Sequence, residues 1–216
     1  MRGLQMRRSG LALAAVFACS ALVAVRGAGN GIVMVPGGKV LFDFTAPSAR
    51  VDTWEEQSDV VRSVGMSKAA LVLQRTQQFQ RAVFFTLLNP QPNGAGFAGM
   101  RTATRLDLSA YGRLALSCRG QGQNFGYKVV LRHRGLNDEP NPSYEQTFQA
   151  PRDEFGVVEL PLQNFTAYYR GRPVPDAIPL DTSNITNVEL QVYGGVYLPT
   201  KQSGASSLEL NWISAE

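Results

Sequence analysis

Short stretches in which apolar and polar residues alternate recur along this chain. Such alternation is typical of a strand with one buried face, because successive side chains of a strand point to opposite sides. The clearest example is LALSCR, residues 114–119, whose two leucines and cysteine share one face. A second run, residues 127–134, follows the Gly-rich segment 120–126 and has an apolar face opposite a basic one. Two such runs joined by a loop rich in Gly and Asn predict an antiparallel hairpin.

The same pattern predicts about ten short strands. They cover residues 40–44, 69–75, 81–88, 96–104, 114–119, 127–134, 144–149, 156–160, 188–193 and 208–213. The strand 81–88, RAVFFTLL, is apolar on both faces, which predicts an interior strand covered on both sides. Residues 161–184 are interpreted as a long, proline-bearing connection. Short strands with turn signals between them and no amphipathic helix predict an all-β fold, an antiparallel β-sandwich.

The first 27 residues have the pattern of a targeting segment. Arg2, Arg7 and Arg8 precede the apolar run 11–25, and small residues lead to an acceptable cleavage context at residues 25–27. This order predicts a secretory signal peptide. The apolar run is shorter than the roughly 20 residues of a membrane span, so no span is expected in the mature chain. A mitochondrial presequence is the alternative, but the run is apolar all round rather than amphipathic, which favours the secretory pathway.

Removal of this leader changes the charge of the chain. The 216 residues include 21 basic and 17 acidic side chains, a formal net charge of +4. The leader holds four arginines and no acidic residue, which leaves 17 basic and 17 acidic side chains. A neutral mature chain gives no reason to expect a nucleic-acid partner or an anionic membrane. We interpret residues 28–38 as a linker and residues 39–216 as one domain.

Cysteine and asparagine patterns add two further expectations. Cys118 is the one cysteine left after the leader, so no intrachain disulfide is expected. Its place on an apolar strand face predicts a small buried hydrophobe. The sequons Asn164-Phe-Thr166 and Asn184-Ile-Thr186 predict N-glycosylation of Asn164 and Asn184.

No stretch of the sequence groups the residues that an enzyme needs, so we predict no catalytic residues. His133 is the only histidine, and its place on an apolar strand face predicts a histidine of the core or rim. Gly94, Gly96 and Gly99 match the spacing of a dinucleotide-binding loop, but the flanking segments are not a strand and a helix. We therefore expect turn and packing roles for them, and no cofactor. A structural calcium ion between Asp43 and Glu209 is the possible exception, because carboxylates suit calcium.

Aromatic and cationic side chains form the most promising set. Aromatic rings stack on sugar rings, and arginine or tyrosine side chains hydrogen-bond their hydroxyls. The candidate ligand-binding residues are Arg101, Arg132, Tyr144, Tyr168, Tyr169 and Arg170, with Trp54, Tyr193, Tyr197 and Arg119 as further members of the same face. Arg101 and Arg132 interrupt otherwise apolar strands. The alternative is that these residues form cross-strand ion pairs and rim tyrosines that stabilise the sandwich.

Several motifs in one order resemble a known family. They are LFDF from residue 41, SDVVRSVGMSK from 58, LLNPQPNGAGFAGMRT from 87, DLSAYGRLALSCRGQGQNFGYKVVLRH from 107, YYRGRP from 168, LQVYGGVY from 190 and LELNWI from 208. From about residue 39 to the end, the chain resembles the complex I intermediate-associated protein 30 family. The resemblance implies a galactose-binding-type jelly roll, similar to the carbohydrate-binding modules of glycanases.

The best-known members of that family are mitochondrial chaperones that help to assemble respiratory complex I. The leader and the sequons of this chain resemble a shorter animal branch that bears a signal peptide. We therefore predict a secreted, non-enzymatic module that binds a glycan or a protein partner. The alternative is a mitochondrial chaperone whose partners are complex I assembly intermediates.

Overall fold

The computed structural model describes residues 37–61 and 64–216. The predicted leader and all but the last two residues of the predicted linker lie outside this part. The described residues contain thirteen strands and no α-helix. The strands are β1 (Lys39–Asp43), β2 (Glu55–Glu56), β3 (Lys68–Arg75), β4 (Gln80–Leu88), β5 (Phe97–Leu106), β6 (Arg113–Gly122), β7 (Gly126–His133), β8 (Ser143–Gln149), β9 (Gly156–Pro161), β10 (Thr166–Tyr169), β11 (Arg172–Pro173), β12 (Ile185–Tyr193) and β13 (Gly204–Ala215).

The strands form two antiparallel sheets. Sheet A has the order β3-β4-β13-β6-β9, with β1 paired to the end of β13. Sheet B has the order β11-β10-β8-β7-β12-β5-β2. This arrangement confirms the predicted antiparallel β-sandwich. Short 3-10 turns lie at Asp59–Val61, Leu162–Asn164 and Thr182–Asn184. No helix in the described ranges is long and apolar enough to cross a membrane.

The core lies between the two sheets and is built from the alternating apolar positions. Leu116, Leu208 and Leu210 of sheet A and Leu131 and Leu190 of sheet B are each at most 1% exposed. Burial of one such side chain contributes about 1.5–3 kcal/mol to folding. Cys118 is fully buried in this core, as predicted, and burial raises the pKa of its thiol to about 12. Polar residues between the core positions point to the outer faces of the sheets.

The predicted hairpin of residues 114–134 is wrong. β6 pairs with β13 and β9 in sheet A, whereas β7 pairs with β12 and β8 in sheet B. The Gly-rich segment crosses from one sheet to the other. Asn124 holds this crossing in place, because its buried amide donates to Gly204 O at 3.2 Å and to Ser206 Oγ at 2.8 Å. Alternation identifies the buried face of a strand but not the strand with which it pairs.

Two other expectations need correction. β4 is an interior strand between β3 and β13, but its outer face is open: Phe85 is 49% and Leu87 is 52% exposed. The predicted connection 161–184 contains β10 and β11, and β2 was also missed. These three strands are two to four residues long, too short to show alternation.

Candidate binding groove

A groove of about 1370 Å³ lies on the outer face of sheet B. Val188, Leu190 and Val192 of β12 point into the core, so Glu189 and Gln191 point to this outer face. The residues of the sheet that line the groove include Arg101 of β5, Lys128, Val130 and Arg132 of β7, Ser143, Glu145 and Thr147 of β8, Thr166, Tyr168 and Tyr169 of β10, and Glu189, Gln191 and Tyr193 of β12.

The turn between β10 and β11 forms one wall of the groove. Arg170 and Gly171 have φ values of 51° and 76°, as the two-residue type I′ turn of a hairpin requires. Glycine adopts this conformation readily, whereas arginine is strained there. Glu139 holds the Arg170 side chain, with its Oε2 accepting from Nε at 3.1 Å. The turn therefore presents Tyr169 and Arg170 at a fixed edge of the groove.

The loop between β12 and β13, residues 194–203, reaches over the groove from the other side. Tyr197 packs on Gly171, where an added β-carbon would lie 3.4 Å from the ring. The guanidinium carbon of Arg172 lies 5.3 Å from the centroid of the same ring. The loop follows β12 and the turn follows β10. These two strands lie about 14 Å apart because β7 and β8 separate them, so the loop and the turn meet across that width of the sheet. The loop and the turn together form an arch over the floor, and Tyr197 itself is 59% exposed.

Hydrogen bonds fix the base of this arch. Gln202 is 7% exposed, and its Oε1 accepts from the N–H groups of Phe125 at 2.9 Å and Gly126 at 2.7 Å. Its Nε2 donates to Tyr193 O at 2.8 Å and to Gly126 O at 3.0 Å. Lys201 Nζ donates to the carbonyl of Gly195 at 2.7 Å. The ends of the loop are therefore held to sheet B, while its tip carries the exposed apolar side chains.

The structure brings five of the six predicted ligand-binding residues to the groove. They are Arg101, Arg132, Tyr168, Tyr169 and Arg170. Arg101 Nη1 donates to Asp138 Oδ1 at 2.7 Å. Arg132 Nη1 donates to the Asn141 carbonyl at 3.2 Å. Tyr193 and Tyr197 also line the groove, as expected for that face.

The sixth residue, Tyr144, is misassigned because it points into the sandwich. It is 2% exposed, its hydroxyl donates to Ile178 O, and its ring lies 4.8 Å from that of His133. Trp54 is likewise buried, 5.2 Å from the Phe42 ring. Arg119 lies on the outer face of sheet A, where it pairs with Glu209 at 2.9 Å. These three residues therefore do not belong to the groove.

Four charged or amide side chains of the groove floor were not predicted from the sequence: Lys128, Glu145, Glu189 and Gln191. Lys128 and Glu145 form an ion pair between β7 and β8 in which both side chains are mostly buried. Glu189 is 3% exposed, and Gln191 Nε2 donates to its Oε1 at 2.6 Å. Burial raises the pKa of Glu189 to about 7. Glu189 and Gln191 could have been noticed because they alternate with the apolar residues of β12. An ordinary solvated strand face shows the same pattern.

The expected calcium site between Asp43 and Glu209 is not formed. Glu209 accepts from Arg81, Arg119 and Gln121, so its carboxylate already has two cationic partners. Asp43 Oδ1 instead accepts from the Thr45 backbone N–H at 2.9 Å. Within residues 37–61 and 64–216, no group of three or more His, Cys, Asp or Glu side chains is placed to hold a metal ion.

The interpretations of His133 and of the glycine motif are confirmed. His133 is 3% exposed, and its Nδ1 accepts from the Asp181 N–H at 2.7 Å. Burial lowers the pKa of His133. Gly99 lies inside β5, where an added β-carbon would be 2.5 Å from Glu189 Oε1. The motif therefore serves packing.

Both predicted glycosylation acceptors are exposed. Asn164 and Asn184 each end a 3-10 turn, and Asn164 lines the groove. N-glycosylation of the two residues stays a prediction.

Solved structures with the same architecture include carbohydrate-binding modules. The family 11 module from Clostridium thermocellum, in complex with a β-1,3-1,4-mixed-linked tetrasaccharide, matches with a TM-score of 0.60 and 15% identity, over 82% of this chain and 94% of that chain. The family 30 module of a cellulosomal cellulase of Clostridium thermocellum matches with a TM-score of 0.52 and 10% identity, over 82% of this chain and 95% of that chain. At these identities the likeness shows a shared β-sandwich fold.

Sequence comparison identifies the family. A search of curated protein sequences gives no significant match. The family model described as complex I intermediate-associated protein 30 matches residues 42–210, which is more than half of the chain. This chain therefore belongs to the complex I intermediate-associated protein 30 family.

Proposed function

We propose that this protein is a non-enzymatic binding module that holds a glycan in the groove of sheet B. The observation that carries the proposal is one groove in which tyrosine rings stand beside hydrogen-bonding side chains. Tyr168, Tyr169, Tyr193 and Tyr197 supply the rings, and Arg132, which forms no ion pair among the described residues, lines the same groove. Sugars are bound by this combination, because their rings stack on aromatic faces while their hydroxyls need donors and acceptors.

The size of the groove supports an oligosaccharide rather than a single small molecule. Its volume of about 1370 Å³ exceeds the roughly 300–1,000 Å³ of pockets for drug-sized ligands. The solved family 11 module, which shares the fold, is in complex with a tetrasaccharide. For this chain the secretory pathway is the proposed location, on the basis of its leader and its two sequons.

A chaperone role in complex I assembly is the second candidate. The name of the family refers to intermediates of complex I. The outer face of sheet A exposes Val72, Phe85 and Leu87, which suits contact with a protein. A mitochondrial location would accompany this role. Endoglycosidase treatment of the native protein separates the two candidates: a shift in gel mobility places the protein in the secretory pathway. Co-fractionation with mitochondria without a shift would remove the secretory proposal.

Arg132→Ala tests the groove directly. A charge-assisted hydrogen bond contributes about 1.5–3 kcal/mol, so the variant should bind roughly tenfold to a hundredfold more weakly to the glycans that the wild type binds on an array. The thermal midpoint should change little, because within the described ranges the Arg132 side chain makes one hydrogen bond, to the Asn141 carbonyl. Arg75→Ala is the matched control, since Arg75 is exposed on the edge strand β3 of sheet A. Equal binding by Arg132→Ala and the wild type would contradict the site assignment.

A further inference from the structure

Glu189 occupies the middle of the groove floor. It lies on β12, between β5 and β7, and pairs with Arg101 on one side and Val130 on the other. The residue lines the groove although it is 3% exposed, because neighbouring side chains surround it. Gly99 makes room for its carboxyl group, since any side chain at that position would begin 2.5 Å from Glu189 Oε1. The floor is thus shaped around this carboxyl group.

Glu189 has no cationic partner among the described residues. Among residues 37–61 and 64–216, its one side-chain hydrogen bond is the 2.6 Å contact from Gln191 Nε2 to Oε1, and Oε2 accepts none. The two basic side chains that act on Glu189 form no ion pair with it: Lys128 pairs with Glu145 at 2.5 Å, and Arg132 Nη1 donates to the Asn141 carbonyl at 3.2 Å. A buried carboxylate with so few partners is unfavourable, and proteins either protonate such a group or use it for a ligand.

Burial and the surrounding charges together bring the pKa of Glu189 close to neutral pH. Desolvation raises the pKa of Glu189 to about 7, and Gln191, Lys128 and Arg132 oppose that rise. Glu145 on β8 adds to it. Arg101 on β5 and Glu55, its partner across β2, are the charged groups on the other side. At neutral pH, a ligand that stabilises the ionised form by a small free energy therefore displaces the proton.

We propose that Glu189 is a specificity-determining residue which, as a carboxylate, accepts hydroxyl hydrogen bonds from a neutral glycan, so that binding expels its proton and acid releases the glycan. This inference rests on the proposed glycan-binding function. Two hydroxyls of a sugar ring suit the two carboxylate oxygens, of which Oε2 has no donor in the part of the chain that the structure describes. A uronic or sulfated glycan does not fit, because its own charge would repel the ionised carboxylate.

The direction of the pH dependence follows from linkage. A ligand that binds the carboxylate lowers its pKa in the complex. Its affinity is then greatest above the pKa of the free protein, about 7, and falls below it by up to about tenfold per pH unit. An acidic glycan would show the opposite trend.

The test measures the affinity of full-length protein by titration calorimetry between about pH 5 and about pH 8. The probes are the β-1,3-1,4-mixed-linked tetrasaccharide and the neutral oligosaccharides that bind best on an array. Comparison of two buffers with different ionisation enthalpies counts the protons released. We expect up to one proton released near neutral pH and an affinity that falls in acid. Glu189→Gln should bind at alkaline pH as weakly as the wild type does in acid, with neither proton release nor pH dependence.

Glu159→Gln is the matched control, because this exposed glutamate lies on β9 of sheet A, away from the groove. It should behave as the wild type. A glycan that binds with pH-independent affinity and no proton release would overturn this inference while leaving the proposed function intact. If no glycan binds the wild type at any pH, the proposed function fails, and the inference fails with it.

Discussion

Two glutamates on interior strands of the two sheets have opposite surroundings. Glu209 on β13 of sheet A accepts from Arg81 and Arg119, and the ring of Phe155 stacks on both guanidinium groups at 4.8 and 5.1 Å. Glu189 on β12 of sheet B accepts from one amide. A carboxylate with two cationic partners holds its own sheet together. One without such a partner has capacity for a ligand, so the comparison distinguishes a structural face from the proposed binding face.

The largest expected effect is on the free energy of unfolding, and it concerns Glu209, whose carboxylate has two cationic partners. Glu209→Ala leaves two arginines without their carboxylate, in a cluster where the Arg81 and Glu209 side chains are 9% and 12% exposed. The free energy of unfolding should fall by about 3–5 kcal/mol, measured by denaturant titration. Glu159→Ala is the control, because its side chain is 54% exposed and should change stability little. A loss no larger than that of the control would mean that the arginine cluster is not structural.

The second effect concerns Glu189 and stability against pH. Its pKa is about 7 in the folded protein, above the usual value of 4.5 for a glutamate. Between these pH values the folded state therefore holds a proton that the unfolded state has lost. Its contribution is therefore most favourable in acid and declines as pH rises from about 4.5 to about 7, by up to about 3 kcal/mol. Glu189→Gln cannot ionise and should become the more stable protein as pH rises. If the difference in unfolding free energy between Glu189→Gln and the wild type does not change with pH, the raised pKa of Glu189 is contradicted.

The third effect is on affinity and concerns the arch. Tyr197→Ala removes the ring that contacts Gly171 and Arg172, whereas Tyr197→Phe keeps it. A stacked ring contributes about 0.5–1.5 kcal/mol, so Tyr197→Ala should bind its glycan roughly twofold to tenfold more weakly in calorimetry. Tyr197→Phe should bind nearly as the wild type does. Equal weakening by both variants would assign the effect to the hydroxyl group instead.

The smallest effect is expected on the outer face of sheet A. Phe85→Ser replaces a ring that is 49% exposed on the side away from the groove. Glycan affinity should be unchanged, because Phe85 lies on β4 of sheet A whereas the groove lies on sheet B. Loss of binding to a protein partner by Phe85→Ser, with glycan affinity intact, would favour the chaperone role. Loss of glycan affinity in a folded Phe85→Ser variant would indicate that the glycan binds sheet A, which contradicts the groove of sheet B.

The sequence predicts the strands and the core well because both depend on local alternation. Leu190 and Val192 are buried, and Glu189 and Gln191 point outward, as the period of two requires. Strand pairing is not local, so β6 and β7 were assigned to one hairpin although they belong to opposite sheets. The exposure of Phe85 was also unpredictable, since composition does not show whether a second layer covers a sheet.

The candidate site was predictable where a charged or aromatic residue stood out from its strand or loop, as the tyrosines Tyr168 and Tyr169 did. Arg101 and Arg132 were found because each interrupts an apolar strand, and the fold brings both to the groove. Tyr144 was misassigned because its neighbours in sequence are polar, while its own position in β8 faces the core. Glu189 was missed because an outward glutamate normally has water around it, and its burial results from strands distant in sequence.

The most direct test of the binding face is a map of backbone amide shifts by NMR during titration with a neutral oligosaccharide that binds on the array. Binding in the groove predicts the largest shifts in β5, β7 and β12 of sheet B and in residues 194–203 of the arch. It predicts none on the outer face of sheet A around Phe85. Shifts concentrated on sheet A, with the groove unchanged, would contradict the glycan-binding groove.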